Sequence, residues 1–182
     1  MLSFFAIISS IIISCSSLLT FLPHNHFTIT PTLASIFHFS GNIPTNLGIY
    51  HGKLNSCPDT PNCVVSQTND NKHYIEPLTY NGDRQQAYDN LLKILSVVPN
   101  TEIIEQKEDY IRTQSTSKLM GFVDDAEFYF PPDEQVIHWR SASRLGESDL
   151  GVNRRRLEQI RLAFMDFTSH KLQDKSSMNI NL

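Results

Sequence analysis

No Asp, Glu, Lys or Arg occurs before Lys53 in this 182-residue chain. A segment without one full charge does not read as a globular surface, and this sets it apart from the rest of the chain. There is no basic excess either: 15 Lys and Arg against 19 Asp and Glu leave a net charge of −4. That excludes a general nucleic-acid binder, which needs a basic surface, but not a local arginine cluster for a small anion. Cysteine is scarce, three in all, so a four-cysteine zinc site is excluded. No Gly-Lys-Ser/Thr ending marks a phosphate loop, and neither Gly-x-Ser-x-Gly nor His-Glu-x-x-His is present. Internal repeats are absent too.

The leader "MLSFFAIISSIIISCSSLLTFL" is a long apolar run diluted by Ser, Thr, Ala and Cys. It approaches the ~20 residues that span a bilayer and exceeds the usual apolar stretch of a signal peptide. Thr32-Leu33-Ala34 supplies a small-residue cleavage site. Residues 1–34 are therefore expected to be an export segment, removed on maturation. An uncleaved membrane anchor, a lipoprotein leader ending at Ile12-Ile13-Ser14-Cys15 with lipid on Cys15, and a buried core helix are the alternatives.

Beyond the leader, 35–56 has scattered Gly and Pro and reads as an extended lead-in. A short strand is expected over "HYIEPL". Asp83, with Gln86 three residues on, forms a capping-box pattern. Ala87, Leu91, Leu95 and Val98 then share a helical face up to Pro99. Four strand-like runs come next, "TEIIEQ", "DYIRTQSTS", "GFVDDAEFYF" and "QVIHWRSAS", with separators short enough for hairpins. A second helix over 152–168 has Leu157, Ile160, Phe164 and Phe167 as its stripe, and 170–182 is expected to be a flexible tail. The order β-α-β-β-β-β-α predicts an α+β fold: an antiparallel sheet of about four to five strands with two helices on one face. The domain is expected to span 57–169.

"CPDTPNCVVSQ", "HYIEPL", "LMGFVDDAEFYF" and "HWRSASRLGESDLGVNRRRLEQIR" together resemble domain-of-unknown-function family 1499. The resemblance covers roughly Leu47 to Phe167. It implies a fold and a compartment outside the cytoplasm: periplasm, membrane-associated, or thylakoid lumen in a photosynthetic source. It implies no activity.

Cys57 and Cys63 flank "PDTPN", whose two prolines stiffen the loop. Behind an export segment the reading is a disulfide, with buried thiols or a metal or catalytic pair as alternatives. In the last hairpin, Phe130 and Gln135 are expected to flank a four-residue loop. That register pairs Ala126 with Trp139, Phe128 with Ile137, Asp125 with Arg140 and Glu127 with His138. One face is then apolar, and the other carries Asp125, Glu127, His138 and Arg140 as a solvated strand face. Asp124 falls on the apolar face opposite Ser141, where a carboxylate needs a cation. An ion pair with Arg144, Arg154 or Arg156 is expected, with Arg156 as the assigned partner.

"RSASRLGESDLGVNRRR" supplies an anion-site candidate: Arg140, Ser141, Ser143, Arg144, Asn153 and Arg154 beside a helix N-terminus. The alternative is that these arginines only neutralise nearby carboxylates. Taken together, the sequence predicts an exported, non-enzymatic binding or structural domain, with no metal or cofactor. Its expected partner is a small anionic ligand or an envelope component, with membrane association through the N-terminal segment. The rival is a hydrolase-like or metal-dependent enzyme using Asp125, Glu127 and His138.

Overall fold

A computed structural model describes residues 39–180, all within one compact unit. The expectations for 1–34 lie outside the described residues. In chain order the elements are β1 (Ile49–Tyr50), β2 (Lys53–Leu54), β3 (Cys63–Val65), β4 (Leu78–Thr79), α1 (Arg84–Leu95), β5 (Thr101–Lys107), β6 (Tyr110–Thr116), β7 (Val123–Tyr129), β8 (Val136–Ser143) and α2 (Val152–Ile180). The fold is α+β, with six strands in the main sheet and two in a separate hairpin, more than the four to five expected. Among the described residues, no helix is long and apolar enough to cross a membrane.

Local chemistry starts α1 where the pattern indicates. Asp83 accepts the Gln86 amide at 2.9 Å, satisfying one of the donors that a helix N-terminus leaves free. Ala87, Leu91, Ile94 and Leu95 are buried, and the helix stops at Leu95, short of Pro99. The strands β5 to β8 form an antiparallel meander in which β8 also pairs with β3 and β4, so the order is β3-β8-β7-β6-β5 with β4 beside β3 on β8. The strand expected over 73–78 is reduced to a single bridge at Tyr74 and the two residues of β4. Glu76 and Pro77 instead spend their carbonyls on α2, where Arg161 bonds to both.

Both helices cover one face of the sheet. Ile111, Ala126, Phe128, Ile137 and Trp139 meet Leu91 and Leu95 of α1 and Leu157, Ile160 and Phe164 of α2 in one buried cluster. Phe128 and Trp139 meet edge-on at 6.3 Å between ring centroids, a favoured aromatic geometry. The Arg161 guanidinium lies 4.8 Å from the Trp139 ring centroid and pins α2 to β8. Phe167 is not part of this stripe; it is 36% exposed. Nor does the chain become a tail at 170, because α2 runs on to Ile180. No Gly or Pro follows Gly151 to stop it.

The β7–β8 register differs from expectation by two residues. Glu127 faces Arg140, Phe128 faces Trp139, Asp125 faces Ala142, and Asp124 faces Ser143 rather than Ser141. The cause lies at the loop ends. Phe130 donates its amide to Asp109 at 2.8 Å, and the Gln135 carbonyl accepts from Tyr80 at 3.2 Å, so neither closes the hairpin. A shift of two preserves side-chain alternation, so the apolar face stays inward.

The second face of the sheet is not solvated. Residues 39–54, expected as a lead-in outside a domain starting at 57, lie over it instead. Leu54 and Ile49 from the β1–β2 hairpin pack on Tyr110 and Tyr129. Phe39 stacks on Phe122 at 5.4 Å.

Candidate functional site

Alternation along β7 turns Asp124 and Asp125 to opposite faces. On the helix face, Asp124 accepts from Arg156 Nη2 at 2.7 Å. Arg156 Nη1 also donates to Asn153 Oδ1, and Ser141 donates its hydroxyl to the same oxygen. Asn153 Nδ2 reaches the Asn62 carbonyl at 3.2 Å and Ser143 Oγ at 3.0 Å. The result is a knot tying the start of α2 to β8 and the cysteine turn.

On the other face lies a layer of buried charge. Glu127 is fully buried, and its Oε1 accepts from the Gly48 amide at 2.6 Å and the Tyr110 hydroxyl at 2.9 Å. Its Oε2 accepts from Arg140 Nη1 at 3.2 Å. Burial, reinforced by the Glu127 charge, raises the Tyr110 pKa far above that of a free phenol, so its hydroxyl keeps its proton as a donor. Asp125 is gripped side-on by Arg144, with Nε 2.7 Å from Oδ2 and Nη2 3.0 Å from Oδ1. Arg112 adds a bond at 3.2 Å. Hydrogen bonding to Asp125 raises the Arg144 pKa against the opposing effect of burial. At the rim, Glu105 sits below the usual carboxylate range because Lys107, 2.6 Å away, favours its charged form.

Arg140 is the exception to this saturation. Only its Nη1 is engaged, while Nε is buried with no hydrogen-bond partner among the described residues. Arg140 lines a cleft of about 490 Å³ together with Asp125, Ser143, Arg144 and the cysteine turn. Cys57 and Cys63 are joined by a disulfide, with Cα atoms 5.6 Å apart. Asn62 holds the turn in place: its Nδ2 donates to the Gly146 carbonyl at 2.5 Å, and its own carbonyl accepts the Ser143 amide at 3.0 Å.

The six residues of the expected anion set therefore divide. Arg140, Ser143 and Arg144 line the cleft. Ser141 and Asn153 bond to one another in the knot on the helix face. Arg154 reaches the Lys72 carbonyl at 3.4 Å and is absent from the cleft wall. The α2 N-terminus is also occupied, because Asp149 accepts the amides of Gly151 at 2.9 Å and Asn153 at 2.7 Å. Sequence reasoning missed Asn46, Asn55, Ser56, Thr60 and Asn62 as cleft residues. Only the Pro-stiffened cysteine turn signalled that a shaped loop stood there.

The expected catalytic trio does not assemble. Asp125 gives both oxygens to arginines, Glu127 divides its oxygens between Arg140 and the Gly48 and Tyr110 donors, and His138 faces Tyr129 across the strands. The His138 ring contacts Ser66 Oγ at 3.1 Å and Glu134 at 3.7 Å. Burial lowers its pKa, with Glu134 acting in the opposite direction. Ser66 Oγ also accepts the Trp139 amide at 3.0 Å, which marks it as a strand-edge brace. Among the described residues, no group of three or more His, Cys, Asp or Glu is placed to hold a metal ion.

Fold and site together define an α+β domain whose sheet is faced on one side by two helices and on the other by an arginine–carboxylate layer beneath the N-terminal hairpin. The chain belongs to the family described as Protein of unknown function (DUF1499), which matches residues 53–164. No curated protein and no solved structure matches it.

Proposed function

We propose that the chain is an exported domain that binds a small anion in the cleft between the cysteine turn and the end of β8. The observation that carries this is Arg140: a buried guanidinium with an unpartnered Nε, lining a cleft beside Arg144 and Ser143. Buried polar groups are almost always paired, and a buried charge especially so, which makes an unspent cationic donor beside a cavity a functional candidate. The proposed setting is outside the cytoplasm, consistent with the charge-free leader and the Cys57–Cys63 bridge.

The test is the melting temperature of the purified chain at low salt with acetate, phosphate or sulfate. An anion at a hundred times its Kd stabilises by about 2.7 kcal/mol, a rise of several degrees. That rise should vanish in Arg140→Lys and survive in Arg154→Ala, whose side chain lies outside the cleft. An equal rise in Arg140→Lys, or none with any anion, rejects the site.

A further inference from the structure

We propose that the bound anion is a carboxylate on a small hydrophilic body, held side-on by the Nε–Nη2 edge of Arg140. This rests on the anion-binding role of the cleft and names its ligand. A guanidinium edge carries two nearly parallel N–H groups whose spacing matches the two oxygens of a carboxylate. Arg144 shows this geometry within the chain: its Nε and Nη2 hold both oxygens of Asp125 at 2.7 and 3.0 Å. Arg140 lines the cleft and has the same edge uncommitted. Its one hydrogen bond runs from Nη1 to Glu127, leaving Nε and Nη2 without acceptors among the described residues.

Charge selects within the oxyanions. One negative charge meets the donor edge that Arg140 leaves unspent. A second would fall beside Asp125, which also lines the cleft, with no unspent cation among the described residues of the cleft wall to meet it. A planar monoanion is therefore favoured over phosphate or sulfate. Glu105 at the rim pairs with both Lys107 and Arg112, so neither of these cations is spare for a ligand.

The walls select the body. A volume of about 490 Å³ exceeds a bare carboxylate, and among the described residues no aromatic ring lines it. Asn46, Asn55 and Ser56 stand on the wall with side chains that make no hydrogen bond among the described residues. Such amides and hydroxyls suit a ligand rich in hydroxyl groups, and a sugar acid meets every requirement.

Titration calorimetry on the full chain with glucuronate, acetate, glucose and phosphate tests this. Glucuronate should bind, glucose should not, and phosphate should bind at least about tenfold more weakly. Arg140→Lys keeps a cation for Glu127 but removes the edge, and should weaken glucuronate by about tenfold or more. If that variant does not fold, heteronuclear NMR of the unmutated chain decides, because the Arg140 Nε–H resonance must shift on saturation with glucuronate. An unmoved resonance, or undiminished binding in Arg140→Lys, overturns the edge. Phosphate binding as tightly as glucuronate, in competition with it, overturns the carboxylate class and leaves the anion cleft standing. No heat with any of the three anions defeats both.

Discussion

Asp124 and Asp125 are adjacent, and the pleat of β7 gives them unrelated work. Asp124 faces the helices and joins Arg156, with side-chain exposures of 10% and 16%. Removing one partner of such a pair leaves the other charge desolvated and unmet, so Asp124→Ala should lower unfolding stability by about 3 kcal/mol. Arg156 keeps its bond to Asn153, which places the expectation at the lower end of the range for broken buried pairs. Asp124→Asn should retain most of the loss, since it restores shape but not charge. Urea titration decides, and a change below about 1 kcal/mol would mean the pair is effectively solvated. His138 makes a separate prediction about pH. Its folded pKa lies below the ordinary value of 6.5 because burial disfavours the imidazolium. The unfolded state therefore binds the proton more readily. The stability His138 contributes is present above about pH 6.5 and is lost as pH falls through the folded pKa. The groups that face it are Ser66 and the exposed Glu134. Thermal scans should show the melting temperature declining from pH 7 towards 5, and His138→Asn should flatten that slope. An unchanged slope in the variant would assign the decline to other groups.

At the scale of elements, the segment before the matched family region contributes to the fold. The family match begins at residue 53, yet Gly48 donates its amide to Glu127 at 2.6 Å from outside it. Gly48 has φ +110°, a conformation costly for any residue with a Cβ, so a backbone amide reaches the carboxylate there at little strain. A chain starting at Lys53 would contain the whole matched segment while exposing Tyr110 and Leu54 and removing a donor from Glu127. It should unfold at lower urea than a chain starting at Ser35. Equal midpoints would show that the hairpin adds nothing. This cover was not legible in the sequence, because residues 39–52 have neither periodicity nor charge to mark a packed face. The capping box at Asp83 and the two-residue alternation of β5 to β8 were legible, since both are local signals. Register was not, because the hairpin ends are set by Asp109 and Tyr80, remote in sequence. The cleft escaped for the same reason: its walls come from the segment before β1, the cysteine turn and the end of β8.

At the scale of the molecule, these elements constrain where a leader can be cut. Export as proposed requires the cut to fall before the parts that cover the sheet. Phe39 lies on Phe122, and Gly41 approaches Arg144 so closely that an added Cβ would stand 2.9 Å from that residue's Cβ. A cut after Ala34 leaves both contacts intact, along with Gly48 and the bond to Glu127. A cut after Gly48 would strip one donor from a buried carboxylate, at a cost of about 1–3 kcal/mol. N-terminal sequencing of the mature protein should therefore begin near Ser35. A lipid-modified Cys15 at the N-terminus would instead identify a lipoprotein, with the domain equally complete and tethered to a membrane. In either case Cys57 and Cys63 should resist thiol labelling in unreduced, denatured protein, because the bridge persists where the environment is oxidising. An intact Met1 in a soluble fraction, with both thiols labelled, would place the chain in a reducing compartment and rule out export. The Arg140 cleft would then have to take its carboxylate from that compartment instead.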